Sequence, residues 1–212
     1  MSHLFDRGST MQDGFMTDPT LLGSLDGQQY LVLRPASHVA KFYAAEQSTM
    51  RKKLPSSITH PNTGHVTLRG FYEPSRVHEL KSTLAAWATR QEPIEVRVDR
   101  VDGFPTPFQV LIARLQRSDS LIDAYSSLTT RLDDADFCRI GELPLEEWVF
   151  HLSLIYCNSL SEADWRKTHT ENQRDVEDHP HEILTQAEFV WYENGVERTE
   201  VLPFGGPAPQ TF

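Results

Sequence analysis

The chain reads as an α+β protein with antiparallel sheets and outer helices, and three observations predict this. Two segments, His65-Val66-Thr67-Leu68 and His151-Leu152-Ser153-Leu154, alternate polar and aliphatic residues with period two, the pattern of a half-buried strand. Segments with helically spaced apolar residues separate these and other strand-like runs. Near the C-terminus, Asn194-Gly195 divides two further runs, the strongest short hairpin signal in the sequence.

Residues 1–26 mix Ser, Gly, Asp, Thr and Met without periodicity and are expected to form a flexible arm. A first strand over 28–35 (QQYLVLRP) is closed by Pro35. Val39, Phe42, Tyr43, Met50 and Leu54 then mark a helix that Pro55 stops. The loop 56–63 carries Pro61, Asn62 and an exposed His60, and delivers the chain to the first motif strand. Val77, Leu80, Leu84 and Trp87 form the apolar stripe of a second helix. The alternating runs 94–101 and 108–115, linked by a proline-rich turn, are expected to pair as antiparallel neighbours.

Leu121, Tyr125, Leu128 and Leu132 define a third helix ending at Asp133-Asp134-Ala135-Asp136, a cluster without calcium-loop spacing that reads as a solvated helix end. The second motif strand precedes a helix over 161–175. Asp178-His179-Pro180-His181 lacks partners at zinc spacing and is expected to be an exposed loop. The runs 186–193 and 196–204 flank the Asn-Gly turn and are expected to finish the sheet of the second half, leaving 205–212 as an irregular tail. The organisation expected is one domain over 27–204.

The sequence has 212 residues, of which 39% are hydrophobic and 24% charged, enough for one sizeable domain or two intimately packed lobes. No apolar run approaches the roughly 18 residues of a membrane span, and no basic segment leads into an apolar one at the N-terminus, so a cytoplasmic protein is expected. The two cysteines, Cys138 and Cys157, are too few for a disulfide framework and are read as reduced. A net charge of −10 argues against strong clamping of long nucleic acid, which draws on many lysines and arginines. A short or terminal phosphate ester needs only a local basic spot.

On a strand, side chains at i and i+2 project to one side. His65 and Thr67 therefore share a face, as do His151 and Ser153, while Val66, Leu68, Leu152 and Leu154 back them. By the same parity Arg69 is a candidate phosphate contact and Phe71 a candidate base or sugar contact.

The paired motifs resemble those of the 2H phosphoesterase superfamily, which includes the bacterial 2′-5′ RNA ligase and cyclic phosphodiesterase proteins. The resemblance covers roughly residues 28–204, by element order outside the motifs. Ser153 stands where threonine is common and offers the same donor and acceptor. The resemblance implies two similar lobes whose motif strands line a central groove. It implies His65 and His151 as acid and base, with Thr67 and Ser153 on the phosphoryl oxygens and with no metal or other cofactor. The expected substrates are 2′,3′-cyclic phosphate ends of RNA or small cyclic nucleotides, opened by a monomer; 2′-5′ RNA ligation is the same displacement with another nucleophile. A module that binds nucleotides or RNA ends without catalysis is the alternative. A zinc hydrolase is disfavoured, because the second member of each pair is a hydroxyl rather than a ligand.

Overall fold

The computed structural model describes residues 14–205. In chain order they form α1 (Pro19–Ser24), β1 (Gln28–Leu33), α2 (His38–Arg51), β2 (Val66–Tyr72), α3 (Val77–Ala88), β3 (Ile94–Phe104), β4 (Val110–Leu115), α4 (Asp119–Asp133), β5 (Arg139–Ile140), β6 (His151–Tyr156), α5 (Glu162–Asn172), β7 (Arg174–Asp175), β8 (His181–Leu184), β9 (Gln186–Glu193) and β10 (Val196–Pro203). None of these helices is long and apolar enough to cross a membrane.

The helices follow their apolar stripes. Leu80, Leu84, Trp87 and Ala88 are the buried residues of α3, and Leu121, Ala124, Tyr125, Leu128 and Leu132 those of α4. Ser118 caps α4, its hydroxyl accepting from the Leu121 N–H, and Ser161 caps α5 through the Asp164 N–H. Beyond α4, Asp133 pairs with Arg139 and Asp136 with Arg76, so the acidic cluster is a solvated helix end tied by ion pairs.

The strands run β10-β9-β1-β2-β6-β4-β3-β7, with β5 also on β2 and β8 also on β3, and every pairing is antiparallel. Two sheets are visible within this path. One holds β10, β9, β1 and β2; the other holds β6, β4, β3 and the short strands on β3. They meet between β2 and β6 at one pair, Val66 opposite Leu152. The two motif strands are therefore the inner edges of the two halves, which places them at the centre of an α+β fold as expected.

Each motif strand carries a bulge at the same place. In β2, Thr67 lies opposite Val32 and Arg69 opposite Leu31, leaving Leu68 inserted. In β6, Ser153 lies opposite Ile112 and Ile155 opposite Leu111, leaving Leu154 inserted. An inserted residue reverses strand parity beyond it, with direct consequences for the site.

Two expectations are corrected. The C-terminal hairpin completes the first half, not the second: β9 pairs with β1 from Gln29↔Trp191 to Val32↔Glu188. The outer edge of β3 is already taken by β7 and β8, while β1 would otherwise leave an edge bare. The turn itself forms where the sequence puts it, with Asn194 and Gly195 both at positive φ, 54° and 70°. The stretch 178–181 is likewise not all loop, since His181 enters β8 opposite Arg97 and His179 contacts the Val98 carbonyl at 3.0 Å.

The N-terminal segment also departs from expectation. The part of the expected arm that is described, residues 14–26, is anchored. The Glu197 carboxylate on β10 accepts from the N–H groups of Phe15 at 2.7 Å and Met16 at 3.0 Å. Asp18 caps α1 by accepting from Thr20 and Leu21. Phe15 is 1% exposed and packs with Val32, Val190 and Tyr192. Residues 1–13 and the tail from 206 lie outside the described residues.

Candidate active site

With Val66 and Leu152 directly opposed and facing the core, antiparallel register sets Thr67 beside His151 and His65 beside Ser153 on the other face. The four polar groups form a two-by-two array across the seam, with the histidines on one diagonal. In a regular ladder that diagonal is about 7–8 Å. Burial agrees: Val66, Leu68, Leu152 and Leu154 are fully buried, whereas His65, Thr67, His151 and Ser153 are all partly open. The bulges come after the hydroxyls, so the His-x-Thr and His-x-Ser faces survive as the sequence predicts.

The two imidazoles have matched surroundings. Nδ1 of His65 faces the Thr63 carbonyl at 3.4 Å, and Nδ1 of His151 faces the Val149 carbonyl at 2.8 Å, each two residues upstream. A ring whose Nδ1–H donates to a carbonyl presents Nε2 as its working atom. An aromatic ring meets each histidine edge to face, Phe15 at 4.7 Å and 71° from His65, and Phe104 at 4.9 Å and 85° from His151.

Burial lowers the affinity of both rings for a proton. His65 is pushed down to about 4, first by burial, against the Thr63 carbonyl, which favours the charged form. The charges of His151 and Arg34 lower it further. His151 is lowered by burial as well, opposed by its bond to Val149. Burial therefore favours the uncharged form of both rings in the free protein.

Past the bulge in β6, Tyr156 returns to the open face. Its hydroxyl bonds the Ser153 side chain, which lowers its pKa, while burial, the larger effect, raises the phenol to about 12. Arg114 of β4 lies opposite His151, with Asp102 at 3.8 Å. Arg34 follows β1 and binds Glu188 at 2.9 Å and the Thr63 hydroxyl at 2.9 Å. Sequence reasoning passed over Tyr156, Arg114, Phe104 and Phe15. For Arg114 a signal existed, since the alternation of 110–115 sets it on the face opposite Leu115.

Arg69 and Phe71 do not reach this face. The inserted Leu68 turns Arg69 toward the core beside Leu31, where it is 0% exposed. Its guanidinium lies 4.2 Å from the Tyr125 ring centre, pairs with Glu142 at 2.5 Å, and donates to the Tyr125 hydroxyl at 3.0 Å and to Thr129 at 2.6 Å. Phe71 lies opposite Gln29 and is fully buried in the main core. His60 keeps its loop position, with Nδ1 2.9 Å from the Pro61 carbonyl.

Cavities of about 670 Å³ beside the start of α3 and about 460 Å³ beside the end of α2 are lined by neither His65 nor His151. Among the described residues no group of three or more His, Cys, Asp or Glu is placed to hold a metal ion. The array offers two proton-transfer nitrogens on a diagonal and two hydroxyls between them. That suits a tetrahedral centre whose entering and leaving oxygens lie on opposite sides.

The family model described as the 2′-5′ RNA ligase superfamily matches residues 35–195. No curated protein matches the chain. Among solved structures, TT0787 of Thermus thermophilus superposes with a TM-score of 0.64 at 15% identity, covering 85% of this chain and all of that one. E. coli LigT complexed with 3′-AMP gives 0.55 at 16% identity, covering 83% and 95%. Usb1 of Kluyveromyces marxianus gives 0.52 at 11%, covering 85% and 100%.

Proposed function

The chain belongs to the 2′-5′ RNA ligase superfamily, and we propose that it is a phosphoesterase opening 2′,3′-cyclic phosphates on RNA ends or small nucleotides. The observation that carries this reading is the diagonal pair of histidines, each with Nδ1 on a backbone carbonyl and a hydroxyl from the other strand beside it.

His65 is the base and His151 the acid. Nε2 of His65 takes a proton from water as its oxygen attacks phosphorus. The bond from phosphorus to one ribose oxygen breaks, and His151 gives that oxygen its proton. Of the two rings His65 is held further toward the uncharged state, so its Nε2 is free of a proton when substrate arrives. The anionic phosphate favours the protonated form of the other.

Thr67 and Ser153 donate to the non-bridging oxygens, whose charge is present throughout, and Tyr156 orients Ser153. With a 5′-hydroxyl as nucleophile the same steps give ligation. Arg114, opposite His151, replaces Arg69 as the candidate phosphate contact. The 3′-AMP complex of LigT supports nucleotides as ligands of the groove. A net charge of −10 supports short ends over long nucleic acid. We place this activity in a cytoplasmic monomer.

The test is incubation with 2′,3′-cyclic nucleotides with and without EDTA, followed by product chromatography. A single nucleoside monophosphate, formed at the same rate in both, is the expected result. Saturable binding without turnover would favour a binding module instead. A rate abolished by EDTA and restored by added metal would reject the mechanism.

A further inference from the structure

The N-terminal segment reaches the site from outside the two motifs. Phe15 is 1% exposed and belongs to a buried cluster with Val32, Val190 and Tyr192. It also meets His65 edge to face at 4.7 Å, while the Arg34 guanidinium lies 3.6 Å from its centre. The backbone that carries Phe15 is held from two directions. Glu197 accepts from the N–H groups of Phe15 and Met16, the Asn62 N–H donates to the Phe15 carbonyl at 2.7 Å, and the Asn62 side chain donates to Gly14 at 3.0 Å. Arg34 closes the circuit, since its Nη1 donates to the hydroxyl of Thr63, whose carbonyl faces His65 Nδ1.

We propose that Phe15 is a positioning residue for His65: its ring fixes the imidazole with Nδ1 on the Thr63 carbonyl and Nε2 toward the groove, and excludes water from that side. The assignment of His65 as the base, on which this inference builds, needs such a device. A base must be unprotonated when substrate arrives, and an imidazole fully open to water titrates near 6.5.

The neighbouring groups cannot all supply that condition. His151 and Arg34 disfavour a charge on His65, yet Glu188 neutralises Arg34, and Glu197 is engaged with the segment backbone and the Tyr192 hydroxyl. Burial is the largest influence on His65, and Phe15 is an apolar group packed directly against it. The His151 side has its counterpart in Phe104, which comes from β3 within the fold. The His65 side depends on chain N-terminal to the first strand.

The experiment is an NMR titration of the His65 and His151 ring protons in wild type and Phe15→Ala, with the pH dependence of kcat/KM measured alongside. In folded Phe15→Ala the His65 midpoint rises by about one pH unit or more as water enters, and His151 stays in place. The acid limb of the rate profile moves up with His65. An unchanged His65 midpoint in a folded variant overturns the proposal.

If Phe15→Ala does not fold, Phe15→Leu and Glu197→Gln, which respectively remove the ring and loosen its tether, are read the same way. The ring titration needs no turnover. A protein inactive on cyclic phosphates whose His65 midpoint still rises would refute the function and leave the positioning role standing.

Discussion

Replacing His65 or His151 with alanine lowers turnover of a 2′,3′-cyclic phosphate by about 10²–10⁴-fold each, the usual worth of one positioned proton transfer. The melting temperature stays near that of wild type. Both rings stand on the partly open face of the seam, and the residues that carry the packing, Val66, Leu68, Leu152 and Leu154, are on the other. The hydroxyl variants Thr67→Val and Ser153→Ala cost less. Each removes one hydrogen bond to a charged oxygen, about 1.5–3 kcal/mol, or roughly ten- to hundredfold in rate.

Leu68→Ala and Leu154→Ala invert the pattern, losing about 2–5 kcal/mol of stability as emptied core sites do. Turnover and thermal melts on all six variants check this together. Histidine variants with near-normal turnover, or leucine variants as stable as wild type, would contradict the two-faced reading of the motif strands.

Arg69→Ala is the variant expected to damage the fold most. It leaves the Glu142 carboxylate without its closest cation, orphans the Tyr125 and Thr129 contacts, and opens space over the Tyr125 ring. Breaking a buried pair by removing one partner costs about 3–5 kcal/mol, which at this size lowers the melting temperature by roughly 6–20 °C.

Arg69→Met loses less, because an apolar chain of similar length keeps the contact with Tyr125, and the buried Arg69 Nε has no partner to lose among the described residues. Turnover per folded molecule is preserved in both. A stable Arg69→Ala protein with impaired substrate binding would instead return Arg69 to the groove. Chemical unfolding and active-site titration separate the two outcomes.

Arg69 also shows how far strand parity can be trusted. The alternation that put His65 and Thr67 on one face is a local property, and it runs true up to the hydroxyl. One inserted residue, Leu68, then reverses the faces, and nothing in the alternation of β2 itself marks where the register shifts against β1. The same insertion at Leu154 brings Tyr156 to the open face unannounced.

The Asn194-Gly195 turn was legible because it needs two positive φ angles, but the half that its strands join was not, since that depends on which edges remain free. Phe15 was the hardest to foresee. Its segment has no periodicity, and its order comes from Glu197, a residue at the far end of the sequence. The helices were the easiest, because a stripe such as Leu121, Tyr125, Leu128 and Leu132 specifies its own burial.

Two histidines in opposite protonation states sharing one phosphate is the central claim, and the pH dependence of kcat/KM tests it most directly. This quantity reports the free protein, in which the base must be unprotonated and the acid protonated. The rate rises as His65 loses its proton, near pH 4. It falls as His151 loses its proton, at a pH below the usual 6.5 because burial lowers that ring too. The two midpoints belong to the pair, since the rings interact. The expected profile is a bell with its maximum on the acid side of neutrality, and a profile flat from pH 5 to pH 9 would contradict paired acid–base catalysis.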